Sequence, residues 1–220
     1  MVRSRRKTLA LTIDSDARLV VRAPLRMPEK DIRAFIEKKS LWIARKQKQV
    51  QDAAARYKPL QLVDGESILY LGEPHTVLRK EVSAVSVEGS YLAVPEDMTL
   101  EGFIQWIMNK GETIIRERVD YYARLMGVSY TSVKLSNAKK RWGSCSAQNR
   151  LNFAWRLVMC PLWVIDYVVV HELSHITYKD HSPRFWALVA TQMPHYQEAR
   201  TWLRTNQSLL SLARETLKAS

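Results

Sequence analysis

The segment His171–His181, HELSHITYKDH, is the part of this chain that tolerates the fewest folds. It gathers three of the five histidines into eleven residues, around one acid, directly after the apolar run Tyr167–Val170. His171 and His175 are four residues apart, so on a helix they share one face, a turn apart. Two imidazoles placed this way can both reach one ion at about 2.0–2.1 Å. Glu172 is turned about 100° round the same helix. It cannot easily share that ion, but it can hold a water bound to it. H-E-x-x-H therefore reads as two metal ligands, His171 and His175, and one general base, Glu172.

A catalytic zinc takes a third protein ligand and leaves one position for water. His181 is the first candidate. On a continued helix it would lie about 9 Å further along the axis and rotated away. The helix must therefore end near Tyr178 or Lys179. Ser182-Pro183 gives an independent reason for a break, as N-cap and first residue of a new helix. Metzincin proteases share this histidine spacing but have glycine where this chain has Tyr178. A tyrosine there meets a steric penalty at positive φ, so a different turn is expected, at Lys179-Asp180. Glu198, on a later helix, is the rival third ligand. His195 follows Pro194 and reads as a surface or capping residue, and His75 carries no motif.

Composition narrows the class. The chain has 220 residues, 46% apolar and 25% charged, which suits a globular protein of one larger or two small domains. No apolar run approaches the roughly 18 residues of a membrane helix. The basic N-terminus is not followed by the apolar core of a signal peptide. A cytoplasmic setting without a membrane partner is expected. Cys145 and Cys160 belong to no C-x-x-C pair and read as reduced thiols. The net charge of +12 is uneven: residues 1–58 hold 16 Lys/Arg against 6 Asp/Glu, and the rest is nearly neutral. A basic segment of this kind is either a solvated helix face or a surface for nucleic acid or nucleotides.

Residues 7–23 read as a hairpin around Asp14–Ala17. Residues 27–57 have helical spacing through Ile32, Phe35, Ile36, Trp42 and Ile43 and are expected to form one helix. Short strands punctuated by Gly65, Gly72, Gly89 and Pro95 follow. Near Leu100 the texture changes to a long helix ending at Gly127. Then come short strands, a tight turn at Trp142–Ser146, a helix opened by Pro161 and two further helices. The expected division is 1–99, a basic β-rich module with one helix, and 100–220, a metal-binding catalytic domain.

The stretch RWGSCS, followed by RLNFAWRLVMCPLWVIDYVVVHELSHITYKDHSPRFW, resembles the YgjP-like metallopeptidase domain family. KTLALTI, VVRAP, WIARK and YLGEPHTV fit the same family in the same order. This resemblance implies an α+β, zincin-like fold with the active-site helix against a small sheet. It carries His171, His175 and His181 over as ligands of one zinc ion, or of another divalent transition metal, and Glu172 as the catalytic acid/base. Distant similarity to SprT-like and WLM proteases comes with it.

Two readings of Arg141–Ser146 stand. In one, Arg141, Trp142, Gly143 and Ser144 line the cleft rim, where an edge strand pairs with an extended substrate and Arg141 meets a carboxylate or phosphate. In the other, the segment is a structural turn with Trp142 filling the core. The expected reaction is peptide hydrolysis by a metal-bound water with Glu172 as base. Tyr178, Arg141 and Tyr196 are the candidate oxyanion stabilisers. One rival keeps the metal and makes the chain a phosphohydrolase for an anionic substrate such as a nucleoside triphosphate, using Lys139, Lys140 and Arg141. The other is a DNA-associated protease or binding module working through residues 1–58. The oligomeric state is open.

Overall fold

A computed structural model describes residues 1–14, 17–56, 60–138, 140–207 and 209, with only the backbone for 53–56. The chain divides into two compact units, Met1–Lys58 and Pro59–Ser220. The first unit is the segment that carries nearly all of the excess positive charge. The change of texture near Leu100 falls inside the second unit, because the strands before it and the helix after it share one core.

In the first unit, β1 (Val2–Ser4), β2 (Ala10–Ile13) and β3 (Leu19–Pro24) form a sheet in the order β1-β3-β2. The expected hairpin is the antiparallel β2–β3 pair, with β1 added in parallel. Residues 15–16 of its turn lie outside the described residues. The single expected helix is two, α1 (Glu29–Lys38) and α2 (Ser40–Arg56). They part at Lys39, whose amide is shared between the carbonyls of Phe35 (3.2 Å) and Ile36 (3.0 Å), a tightened final turn. Ile32 packs on Val21 and Ala23 to make a small core.

The second unit opens with a four-stranded sheet: β4 (Ser67–Tyr70), β5 (Glu73–Lys80), β6 (Ser86–Glu88) and β7 (Tyr91–Pro95), in the order β4-β5-β7-β6. The central β5–β7 pair is parallel. α3 (Leu100–Met126) follows, capped by the Thr99 hydroxyl, which accepts from the Gly102 amide, and closed by left-handed Gly127. At 1.5 Å per residue it is about 40 Å long, and it serves two cores. Phe103, Ile104 and Ile107 pack with Ile68, Val77 and Leu92 of the sheet. Ile115, Val119 and Tyr122 pack with Val164, Ile165 and Val168 further along the chain. Gly111 lies between these halves, where an added Cβ would stand 3.2 Å from Val158.

β8 (Ser132–Ser136), β9 (Gly143–Cys145) and β10 (Arg150–Ala154) form the sheet nearest the histidines in sequence, ordered β8-β10-β9. The expected turn at Trp142–Ser146 is instead strand β9, antiparallel to β10. The reversal lies at Ser146–Asn149, where Asn149 takes φ 56° and the Ser146 hydroxyl accepts from the amides of Gln148 and Arg150. A 3-10 helix, Trp155–Met159, leads to α4 (Leu162–Thr177), α5 (Pro183–Gln192) and α6 (Tyr196–Thr205). Pro161 is the N-cap of α4, so the helix starts one residue later than expected. Val164 to Val170 are all buried, so α4 is apolar round its whole circumference and forms the axis of the core. Within that run Asp166 is the charged residue, held by both Nε (2.5 Å) and Nη2 (2.8 Å) of Arg118 on α3.

The turn between β4 and β5 sets where α4 starts. The amides of Leu71 and Gly72 donate to the carbonyls of Val158 (2.9 Å) and Met159 (3.1 Å). Gly72 has φ 87°, and a Cβ there would lie 2.5 Å from Pro161 Cγ and 2.8 Å from the Pro161 backbone. Gly72→Ala is expected to lower the unfolding free energy by about 3 kcal/mol, read from urea denaturation of the full chain.

Candidate metal centre

α4 presents His171 and His175 one turn apart, and its end allows His181 to join them. Tyr178, the C-cap, is extended at φ −124° and ψ 111°, and Lys179-Asp180 form a bend. No residue from Tyr178 to Ser182 has positive φ, so the chain turns without the glycine that metzincins use there. Ser182 is the N-cap position of α5, but its hydroxyl makes no capping bond. Its amide instead receives support from Asp180 Oδ1 at 3.0 Å.

The outcome is a cluster in which one donor nitrogen from each of His171, His175 and His181 lies within 4.8 Å of the others. His171 Nε2 and His181 Nε2 are 3.1 Å apart. Two nitrogens bound to one tetrahedral zinc at 2.0–2.1 Å would stand about 3.3–3.4 Å apart. The observed spacing also suits one N–H···N hydrogen bond, so it is the convergence of the third ring that fits an ion. The other ring nitrogens are engaged. His175 Nδ1 donates to the Tyr178 carbonyl at 2.9 Å, and His171 Nδ1 is 3.4 Å from the Tyr167 hydroxyl. The carbonyl can only accept, so it leaves Nε2 of His175 as the free metal donor. Phe185 underlies all three rings, at 4.5 Å from His175 and 4.9 Å from each of the others, centroid to centroid. Trp186 stacks on His181, and Arg200 stacks on Trp186.

Burial sets the protonation of the cluster. It pulls His171 down to about 3, helped by repulsion from His175, His181 and Arg200. His175 is lowered as well, burial again leading. Both rings are neutral at pH 7, the form that binds metal. Three imidazole donors suit a divalent transition metal far better than magnesium or calcium, which select oxygen. Glu172 is 5% exposed. Burial raises it to about 7, against the lowering pull of Arg141 and a hydrogen bond from the Cys145 amide.

The remaining expected site residues divide. Arg141 is exposed and acts on Glu172 through its charge. Gly143 lies directly against the Glu172 carboxylate, where an added Cβ would be 2.6 Å from Oε1. Trp142 packs against the main core, as the structural reading had it. Ser144 pairs with Asn152 in the β9–β10 ladder. Tyr178 contributes its carbonyl, while its side chain packs against the core. Lys139 lies outside the described residues. Glu198 stands apart from the cluster, exposed on α6, 3.5 Å from the N-cap residue His195. Tyr167 and the Cys145 amide went unread in the sequence. Tyr167 was legible in principle, four residues before His171 on the same helix.

The model of the YgjP-like metallopeptidase domain family matches residues 7–206. The chain belongs to this family. Membership makes the fold a zincin-like α+β metallopeptidase fold and the activity, at family level, that of a metal-dependent peptidase. The YgjP-like match runs through both compact units. Among solved structures, the metallopeptidase zymogen of Pyrococcus abyssi abylysin is similar over 41% of this chain and 92% of its own, at 18% identity and a TM-score of 0.39. No curated protein matches the chain significantly. No helix of the described residues is long and apolar enough to cross a membrane.

The two buried titrations have opposite signs. Glu172 has a raised folded pKa, so its stabilising contribution is complete below about 4.5 and is lost as pH rises through about 7. His171 has a lowered one, so its contribution is complete above 6.5 and is lost as pH falls towards 3. Between pH 4.5 and 6.5 they oppose each other. In chelator-treated protein, Glu172→Gln should expose the histidine limb. Unfolding free energy should then rise by about 1.4 kcal/mol per pH unit, against a flatter wild-type profile in the same urea titrations.

Proposed function

We propose that this chain is a zinc-dependent peptidase in which His171, His175 and His181 hold one ion and Glu172 is the general base. The observation that carries this reading is the convergence of three imidazoles, two of them on the helix that also carries the buried Glu172. When bound, the ion supplies Lewis-acid polarisation of a carbonyl and lowers the pKa of water towards about 7. The chain's own residues do the rest. The Tyr178 carbonyl accepts from His175 Nδ1 and so leaves its Nε2 for the centre, while the Tyr167 hydroxyl stands 3.4 Å from His171 Nδ1. Glu172 takes the proton of the attacking water as its oxygen joins the scissile carbonyl carbon. It then delivers that proton to the amine nitrogen as the C–N bond breaks. Both cysteines are free, in keeping with a reducing, cytoplasmic setting.

A second reading has its own observation. Arg141 acts on Glu172, Lys179 on His175 and Arg200 on His171, so the centre is ringed by cations. That field favours an anionic substrate, and a nucleoside triphosphate hydrolysed at the same centre satisfies it. The basic first unit further points to nucleic acid as a partner. Arg45, Lys46 and Lys48 are all exposed on α2.

Purified protein is expected to carry about one zinc by mass spectrometry, and His171→Ala none. Cleavage of casein should vanish on chelation, return with zinc, and fall by 10²-fold or more in Glu172→Gln. Release of phosphate from nucleoside triphosphates, with casein untouched, would move the assignment to the second reading. DNA binding by the full chain should weaken roughly tenfold or more between 50 and 200 mM salt. Replacing Arg45, Lys46 and Lys48 by Ala should flatten that dependence. An absence of binding at low salt removes nucleic acid as a partner.

A further inference from the structure

β9 is the outermost strand of its sheet. Its hydrogen bonds to β10 run through the even-numbered residues. The Trp142 carbonyl accepts from Ala154 at 2.8 Å, Ser144 opposes Asn152, and the Ser146 amide donates to Arg150 at 3.0 Å. In an antiparallel edge strand the intervening residues turn their amides to the other side. Those residues are Gly143 and Cys145, and α4 packs against this strand. The Cys145 amide donates to the Glu172 carboxylate.

Gly143 has no conformational need to be glycine, since its φ is not in the left-handed region. Its need is steric. A Cβ there would stand 2.6 Å from Glu172 Oε1, 2.8 Å from Cγ and 2.9 Å from Cδ. These distances are well inside the roughly 3.5–4.0 Å of an ordinary carbon contact. Glu172 is 5% exposed and has little room to retreat. The bare Cα of residue 143 is thus the surface on which this carboxylate rests.

We propose that Gly143 is a positioning residue for Glu172: β9 offers a side-chain-free Cα and the Cys145 amide as a seat that holds the carboxylate beside the histidine cluster. Gly143 acts through Glu172 and does not itself bind substrate. The catalytic consequence rests on Glu172 being the base, whereas the contact does not.

The test is a double-mutant cycle in the full-length, zinc-loaded protein. Gly143→Ala should lower Tm by about 3 °C or more, and the same change should cost nothing in a Glu172→Ala background, which lacks all three contacting atoms. With zinc content unchanged, Gly143→Ala should lose tenfold or more in kcat towards a fluorogenic peptide while KM stays within twofold. An equal Tm loss in both backgrounds overturns the inference, as does a rise in KM with kcat intact. If Gly143→Ala does not fold, recovery of a cooperative melt in Gly143→Ala/Glu172→Ala supports the seat, and failure to recover overturns it. If Glu172→Gln retains full turnover, the base assignment falls and the Tm cycle alone decides the seat.

Discussion

The site depends on one helix ending at the right residue. α4 carries two imidazoles on consecutive turns, and nothing further along a continued helix could bring a third to them. Termination at Thr177 leaves the last carbonyls and the following amides without helical partners. The Tyr178 amide still closes a helical bond to Ser174, and the groups beyond it are put to use: the Tyr178 carbonyl orients His175, and Asp180 supports the Ser182 amide at the entry to α5. Pro183 then commits the chain to α5, whose second and third residues past it, Phe185 and Trp186, pack against the rings. The same few backbone groups stop one helix, start the next and aim a histidine.

Burial is the second constraint, and it acts on the donors and on the acid in opposite senses. α4 is sunk in apolar surroundings, which disfavours any charged form. For His171 and His175 this is useful, because neutral rings keep a lone pair for metal. For Glu172 it works against ionisation, and a protonated carboxyl group is no base. Two features of the chain lean the other way, the positive charge of Arg141 and the Cys145 amide. A divalent cation held by the neighbouring imidazoles adds a much larger pull in the same direction. In the proposed mechanism, loading of the centre and activation of Glu172 would therefore be one electrostatic event, with burial deciding how strongly they are linked.

What the sequence disclosed follows from how local each feature is. The i, i+4 histidines, the helix break before His181 and the start of α5 at Pro183 are written in adjacent residues, and all can be read. β9 cannot be read in this way. Three small residues, Gly143–Cys145, carry no alternating pattern, and only pairing with β10 makes them a strand. The residues alone leave both a cleft rim and a structural turn open for this segment. In the structure Trp142 packs against the core while Gly143 and Cys145 face Glu172. The unit boundary is equally non-local. The first half of α3 is apolar on one face, but nothing in that face says that its partner is the sheet of residues 67–95. Lys39 interrupts a helical pattern that periodicity alone would carry through.

The charge of the chain divides along the same line as its packing. The first unit carries the excess of cations, and the second, which holds the metal-donor cluster, is nearly neutral overall. Yet the family match begins at residue 7 and passes through both, so the basic unit belongs to the shared pattern. Attraction of an anionic partner acts over roughly a Debye length and is screened by salt. The chemistry at a buried carboxyl group and three clustered imidazoles is short-range and largely shielded from it. In the proposed function, recruitment and bond cleavage would fall to parts of the chain that respond to different physical variables. Ionic strength would then bear on which molecules arrive, and the geometry around His171, Glu172 and His175 on what happens to them.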